Sequence, residues 1–295
     1  MKDGIYRDLS ITDYHENKTH FSSSGLRHAR KSLKEFWYYK EGHMKLEGSH
    51  LDFGNAFELA LIDKEGFNNE VAIMQDSAWV AEALKEKPEL KTPRNSKSYQ
   101  DASKAFGLEN EGKYKIMDTG SQSFETIELM LASCYQDSTI KKLLENTEYQ
   151  VSAFWTDEET GLKCKTRPDI CKLNKNVIVD VKTTDDGSPA AFSKALAKFD
   201  YPFQACMQID GCISSGLMPQ VDKYFWLVVE KSIPFSATIY EFSENDIKYC
   251  LDEYNYVKGL VQSATKNGLY PSYSQRADNK FGILTAEIPL WYRTI

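Results

Sequence analysis

The sequence predicts an α/β (α+β) fold in which a central mixed β-sheet is flanked by helices. Three observations lead there. Helical spacing of apolar residues marks several segments before residue 147; from 148 the period changes to two; after 188 the order is helix, helix, strand, strand, helix. A chain that runs helices, three strands, helices, two strands and a helix buries its apolar faces best as a sheet packed between helices. No Gly/Ser-rich or Pro-rich linker and no internal repeat divides the 295 residues. We therefore expect one decorated domain over 1–295, with a helical part over about 1–147, a sheet-bearing core over about 148–267 and a tail at 268–295.

Taken in order, "SSSGLRHARKSLKEFWYYKEG" offers serines for capping and Leu26, Ala29, Leu33, Phe36 and Trp37 at helical spacing, which predicts one amphipathic helix over about 24–40. "FGNAFELALIDKEGF" predicts a second helix. Residues 64–117 are rich in Lys, Glu, Asn and Ser with weak periodicity and read as a mobile arm. "TGSQSFETIELMLASCYQDSTIKKLLEN" reads as one or two helices. "YQVSAFWT", "LKCKTRPDICKL" and "VIVDVKT" read as three consecutive antiparallel strands, the first two joined by the turn "DEETG". Helices follow at 188–198 and across "YPFQACMQIDGCISSG", strands at "KYFWLVVE" and "ATIYEF", and a closing helix near 243–267. The aromatic tail after residue 268 is expected to pack on the surface or on a neighbouring subunit.

Composition removes several function classes. Apolar runs such as "FWLVV" at 225–229 fall far short of the roughly 20 residues of a membrane span, and "MKDGIYRDLS" lacks the apolar centre of a signal peptide. The expectation is a soluble protein of the cytoplasm with no membrane partner. Six scattered cysteines without a CxxC pair (Cys134, Cys164, Cys171, Cys206, Cys212, Cys250) argue for reduced thiols rather than a zinc site or a disulfide framework. The five histidines all lie in the first fifty residues without HxH or HExxH spacing. A net charge of -7 gives no whole-molecule attraction for nucleic acid, so such a role needs a locally basic groove.

The chemistry concentrates in "TRPDICKLNKNVIVDVKTT", residues 166–184. On a strand, Val177, Val179 and Val181 point one way and Ile178, Asp180, Lys182 and Thr184 the other. The same parity aligns Lys163, Lys165, Arg167 and Asp169 on the preceding strand, with Pro168 able to bend it. Strands lie roughly 5 Å apart, so two carboxylates and a lysine can converge. Two neighbouring aspartates repel, and a hard divalent cation would relieve them; phosphodiester hydrolysis uses that arrangement. The other reading of an Asp-x-Lys pair is a solvated face with a weak ion pair.

"RPDI" followed by "VIVDVKTT" resembles the PD-(D/E)xK nuclease signature, and "FWTDEETGLKCKTRPD" resembles the RecE-type exodeoxyribonucleases of phages and prophages, relatives of the lambda-type exonuclease. Outside the signature, "FSSSGLRHARKSLKEF" is similar to that family's Ser-Gly-Leu segment, "LDFGNAFELALID" to its GxAxH helix and "YPFQACMQIDG" to its QxxxY helix. The resemblance implies a PD-(D/E)xK core with Asp169 and Asp180 as metal ligands, the Val181 carbonyl as a further ligand and Lys182 as the catalytic lysine. Glu58 stands where many relatives carry His, and the lambda-type exonuclease uses a glutamate there; the alternative is plain helix surface. Gln204 matches the family glutamine and implies contact with phosphate or metal-bound water, or else a buried amide; Gln208 replaces the family tyrosine. Ser24 and Arg167 align with residues that hold the 5′-phosphate, Ser24 otherwise being a helix cap, and Lys163 and Lys165 extend that face.

What the resemblance implies as a whole is an exonuclease dependent on Mg²⁺ (Mn²⁺ substituting) that acts on double-stranded DNA ends 5′-to-3′. It would leave 3′ single-stranded tails for a single-strand annealing protein in homologous recombination. Relatives form rings, which implies a trimer or tetramer with a basic channel and an acidic exterior. Rival readings are another nuclease of this fold, either an iron–sulfur enzyme or a restriction endonuclease, or a catalytically silent DNA-binding protein on the same scaffold.

Overall fold

The computed structural model describes residues 1–44, 49–273 and 283–288. Its elements run β1 (Gly4–Tyr6), α1 (Ile11–Glu16), α2 (Ser23–Lys31), α3 (Leu33–Lys40), α4 (Ser49–Ile62), α5 (Lys64–Glu70), β2 (Val71–Met74), α6 (Asp76–Glu86), α7 (Lys97–Glu109), β3 (Tyr114–Met117), α8 (Phe124–Gln136) and α9 (Ser138–Leu144). They continue with β4 (Glu148–Tyr149), β5 (Ser152–Thr156), β6 (Lys163–Thr166), β7 (Ile170–Lys172), β8 (Val177–Thr184), α10 (Pro189–Phe199), α11 (Tyr201–Ser214), β9 (Lys223–Glu230), β10 (Ala237–Glu241) and α12 (Glu244–Asn267).

The mixed sheet has the order β10-β9-β8-β7-β4, with β8 and β9 parallel and the remaining neighbours antiparallel. Alternation along β8 does what the sequence implies. Val177, Val179 and Val181 pack with Phe53, Ala56 and Phe57 of α4 and with Ile127 and Met130 of α8. Ile178 faces the opposite layer, among residues of α2, α3, α11 and α12. The sheet is thus covered by helices on both faces, as a parallel β8–β9 pair requires.

Several expected elements are divided. The helix expected over 24–40 is two helices, because Ser32 is extended (φ -160°, ψ 147°) and its hydroxyl oxygen accepts from Glu35 N to start α3. Helix α4 likewise stops at Asp63, which caps α5. The three-strand meander is two hairpin partners in separate sheets. β5 and β6 pair in a three-stranded sheet with β1 at its edge, so the N-terminal region also supplies a strand, whereas β4 and β7 belong to the mixed sheet. Both expected strands break where the chain changes sheets, one at Gln150 with φ 50° and the other at Arg167–Asp169 around the buried Pro168.

Residues 64–117, expected as a mobile arm, are folded. β2 and β3 form a parallel pair, and Asp52 of α4 accepts a hydrogen bond from Lys115 N (3.2 Å). The charged face of this segment hides its period, since α7 has no buried residue. The expectation for the tail falls largely on 274–282 and 289–295, outside the described residues. All six cysteines are free thiols, and among the described residues no helix is long and apolar enough to cross a membrane.

Two features fix α11 against the sheets. Gly211 is obligatory, since a Cβ there would stand 2.5 Å from Thr166 Cγ2 and 2.7 Å from Trp155 Cζ3. A buried ion cluster ties the β5–β6 hairpin to α11 and α12: Lys258 pairs with Asp157 and, at 3.2 Å, with Asp210, which also accepts from Tyr254 (2.9 Å). Asp157 heads the turn "DEETG" by accepting from Thr160 N (2.9 Å).

Candidate active site

Four elements bring polar side chains to one buried place. β8 carries Asp180 and Lys182 two residues apart on the α11 face; Asp169 enters from the β6–β7 crossover, Glu58 from α4, and Gln204 and Gln208 from successive turns of α11. Asp169 Oδ2 accepts a hydrogen bond from Val181 N (2.7 Å). Asp180 is completely buried and its Oδ1 accepts from Gln204 Nε2 (3.0 Å) and Gln208 Nε2 (3.4 Å). The Lys182 ammonium pairs with Asp180 Oδ2 and lies 4.8 Å from the centroid of the Tyr201 ring. The solvated-face reading of this Asp-x-Lys pair is therefore excluded by burial.

Three carboxylates meet one lysine here, and burial with neighbouring like charge raises two of them, Asp169 and Glu58. Burial, then the charge of Glu58 and Asp180, pushes Asp169 well above the ordinary carboxylate range. Burial also raises Glu58, with Asp180 adding to the shift and the Gln150 hydrogen bond and Lys182 opposing it. For Lys182, burial disfavours the ammonium, but Asp180 and Asp169 outweigh it and raise its pKa. Glu58 faces this cluster rather than open solvent: its electrostatic neighbours are Lys182, Asp180 and Arg167, and its Oε1 accepts from Gln150 Nε2 (2.9 Å).

The donor set fits a hard divalent cation, because Glu58, Asp169 and Asp180 offer only oxygen and their mutual repulsion awaits a positive charge. Among the described residues no three such side chains already stand within ligating reach of one point. Asp180 Oδ2 is paired with Lys182, and Asp169 Oδ2 accepts from the Val181 amide.

The remaining expected residues are placed differently. Arg167 is turned inward: Nη1 donates to Leu9 O (2.7 Å) and Ser152 Oγ (2.9 Å), and Nη2 to Gln150 Oε1 (3.1 Å). A terminal phosphate would have to displace these bonds to be held by it. Lys165, expected to extend the face of Ser24 and Arg167, is buried, donates to Tyr14 O and Asn17 O and has its pKa pushed down to about 8 by burial. Lys163 stays exposed. Ser24 is the second residue of α2, whose N-cap is Ser22, so the cap reading of Ser24 fails. Among the described residues no hydrogen bond joins Ser24 to the carboxylates.

Sequence reasoning passed over Gln150, Tyr201 and Tyr224, and gave Gln208 no role beyond replacing the family tyrosine. Gln208 bridges Asp180 to the Tyr224 hydroxyl, which donates to Gln208 Oε1 (2.7 Å). The spacing of Gln204 and Gln208, one helical turn, was a signal that both point at the same partner.

No curated protein matches the chain. Among solved structures, a candidate exonuclease from Eubacterium rectale matches over 97% of this chain and 98% of its own, with a TM-score of 0.57 and 15% identity, a likeness of fold. A phage related exonuclease from Haemophilus somnus 129PT matches over 68% of this chain and 99% of its own, at 11% identity and a TM-score of 0.29. Residues 22–280 match the family described as PDDEXK-like domain of unknown function (DUF3799), and the chain accordingly belongs to that family within the PD-(D/E)xK nucleases.

Proposed function

We propose that the protein is a divalent-metal-dependent exodeoxyribonuclease of the RecE type. It degrades linear duplex DNA 5′-to-3′ and leaves 3′ single-stranded tails for an annealing partner. The observation that carries the reading is the buried lysine-and-carboxylate group: Lys182 and Asp180 in contact on β8, with Asp169 and Glu58 converging on them from two other elements.

In this reading Glu58, Asp169, Asp180 and the Val181 carbonyl hold Mg²⁺ or Mn²⁺. Bound there, the ion would activate a water and neutralise charge on the scissile phosphate. The chain's own contributions follow from the contacts. Gln204 and Gln208 fix the Asp180 carboxylate, and the Tyr201 ring limits the excursion of the Lys182 ammonium. When not engaged by Asp180, that ammonium would be free to donate to the attacking oxygen or to the phosphate, where it would stabilise developing negative charge. A 5′-phosphate held on the side of Ser24 and Arg167 would require the Arg167 bonds to Leu9 O, Ser152 Oγ and Gln150 Oε1 to open. A ring of three or four chains, in the cytoplasm of a bacterial host, would gather basic side chains in its channel and leave the acidic excess outside.

One assay decides. Linear 5′-phosphorylated, linear dephosphorylated and circular duplexes are incubated with Mg²⁺, with Mn²⁺ and with chelator. Digestion of the linear substrates alone, faster with the phosphate and abolished by chelator, is the expected result. Cutting of the circle would make the protein an endonuclease of the same fold, and inert substrates throughout would leave a silent DNA-binding scaffold.

A further inference from the structure

Glu58 is the one carboxylate of the site that arrives on a long side chain from a helix on the other face of the sheet. Three side-chain torsions would let it turn to water, and burial of its charge favours that escape. What holds it is Gln150. The amide Nε2 donates to Glu58 Oε1 (2.9 Å) while the amide oxygen accepts from Arg167 Nη2 (3.1 Å). Those two bonds fix the amide one way round, since the flipped amide would set NH₂ against guanidinium and oxygen against carboxylate. Arg167 is itself pinned by Leu9 O and Ser152 Oγ.

The backbone of Gln150 is committed to the same place. It lies between β4 and β5 in the left-handed region (φ 50°), which a residue with a Cβ seldom adopts, and its N–H donates to Asp169 O (2.9 Å). One residue thus touches the segment bearing Asp169 through its main chain and Glu58 through its side chain.

We propose that Gln150 is a positioning residue of the site, which holds the Glu58 carboxylate towards Asp169 and Asp180 and thereby sets the affinity for a divalent cation. Arg167 serves as its anchor. The inference rests on the metal-dependent reading given above, and the experiment separates the two.

Mn²⁺ binding is titrated calorimetrically without DNA, for the wild type, Gln150→Asn, Gln150→Gly, Glu58→Gln and the double variant Gln150→Asn/Glu58→Gln. Asn and Gly both tolerate the left-handed backbone, and neither can span to Glu58. The single Gln150 variants are expected to bind Mn²⁺ about 10- to 100-fold more weakly, the usual effect of losing a ligand's hydrogen-bond partner. Melting temperature without metal should hold within about 2 °C. Because Gln150 acts through Glu58, the double variant should bind no more weakly than Glu58→Gln alone. Unchanged Mn²⁺ affinity in both Gln150 variants, or losses that add in full to that of Glu58→Gln, overturns the inference and leaves the nuclease reading standing. A wild type that binds no Mn²⁺ overturns both, and that result is read from the first titration.

Discussion

Among the described residues, Lys182 and Lys258 each stand away from solvent among carboxylates, and they are built to opposite ends. At Lys258 one ammonium meets Asp157 and Asp210; Thr160 donates to the other Asp157 oxygen, Ser214 to the other Asp210 oxygen, and Tyr254 to the Asp210 oxygen that Lys258 also touches. Burial works against the Asp157 charge, but Lys258 and Thr160 outweigh it and hold the pKa below the ordinary carboxylate value. At Lys182 the single ammonium faces Asp180, Asp169 and Glu58, and two of the three carboxyls are driven upward. A buried ion group whose charges and hydrogen bonds are nearly satisfied has no use for a ligand and serves as a tie. One left with surplus anion stores unfavourable interaction that a cation can release.

The widest separation of the two should come from Asp180→Asn. It keeps volume, removes one anion and should lower DNA cleavage by a factor of about 10³ or more, beyond the effect of one charged contact. Melting temperature should stay level or rise; a drop would place Asp180 with the structural ties. Lys258→Met inverts that result. Leaving Asp157 buried and unpaired should cost about 3–5 kcal/mol in urea unfolding, with turnover per folded molecule unchanged. Lys182→Ala should reduce turnover about 10²-fold while Mn²⁺ still binds, as calorimetry would register; equal loss of Mn²⁺ affinity would make the lysine an organiser of the ligands.

The smallest contrast is in pH. For Asp157 the folded pKa is depressed, so its contribution is present above the unfolded value and is lost as pH falls through the folded one, below about 4. For Glu58 and Asp169 the folded pKa is raised, so the metal-free protein retains protons that a cation must displace. Mn²⁺ affinity should therefore climb with pH, by at most about tenfold per unit for each proton released, and level off above the raised values. A flat profile from pH 5 to 8 would mean that these carboxyls are already ionised.

How much of this the sequence disclosed depends on the range of the interaction. Asp180 and Lys182 were legible because a period of two is a local property of β8, and Asp169 because the resemblance supplied its partner eleven residues on. Ser32 hid a helix break inside a helical pattern, since its hydroxyl serves a cap and local spacing of Leu33 and Phe36 continues across it. Lys165 reads as surface in any window of sequence, and only the approach of Tyr14 and Asn17 buries it. Gln150 was invisible for the same reason twice over: its left-handed backbone and its partners Glu58 and Arg167 all depend on the assembled sheets. The pairing of β2 with β3, about forty residues apart, has no local period to betray it.

The chain passes from one sheet to the other at Arg167–Asp169, so Asp169 stands on the seam while Asp180 and Lys182 travel together on β8. Any slippage between the sheets changes the Asp169 to Asp180 spacing and leaves that of Asp180 to Lys182 alone. An ion gripped by both aspartates would join the crossover to β8, adding to the hydrogen bond that Val181 N already donates to Asp169. Catalytic competence and mechanical stiffness of the core would then rise and fall together, and a probe of force, pressure or proteolysis at the crossover would report on the state of the reaction centre without any DNA present.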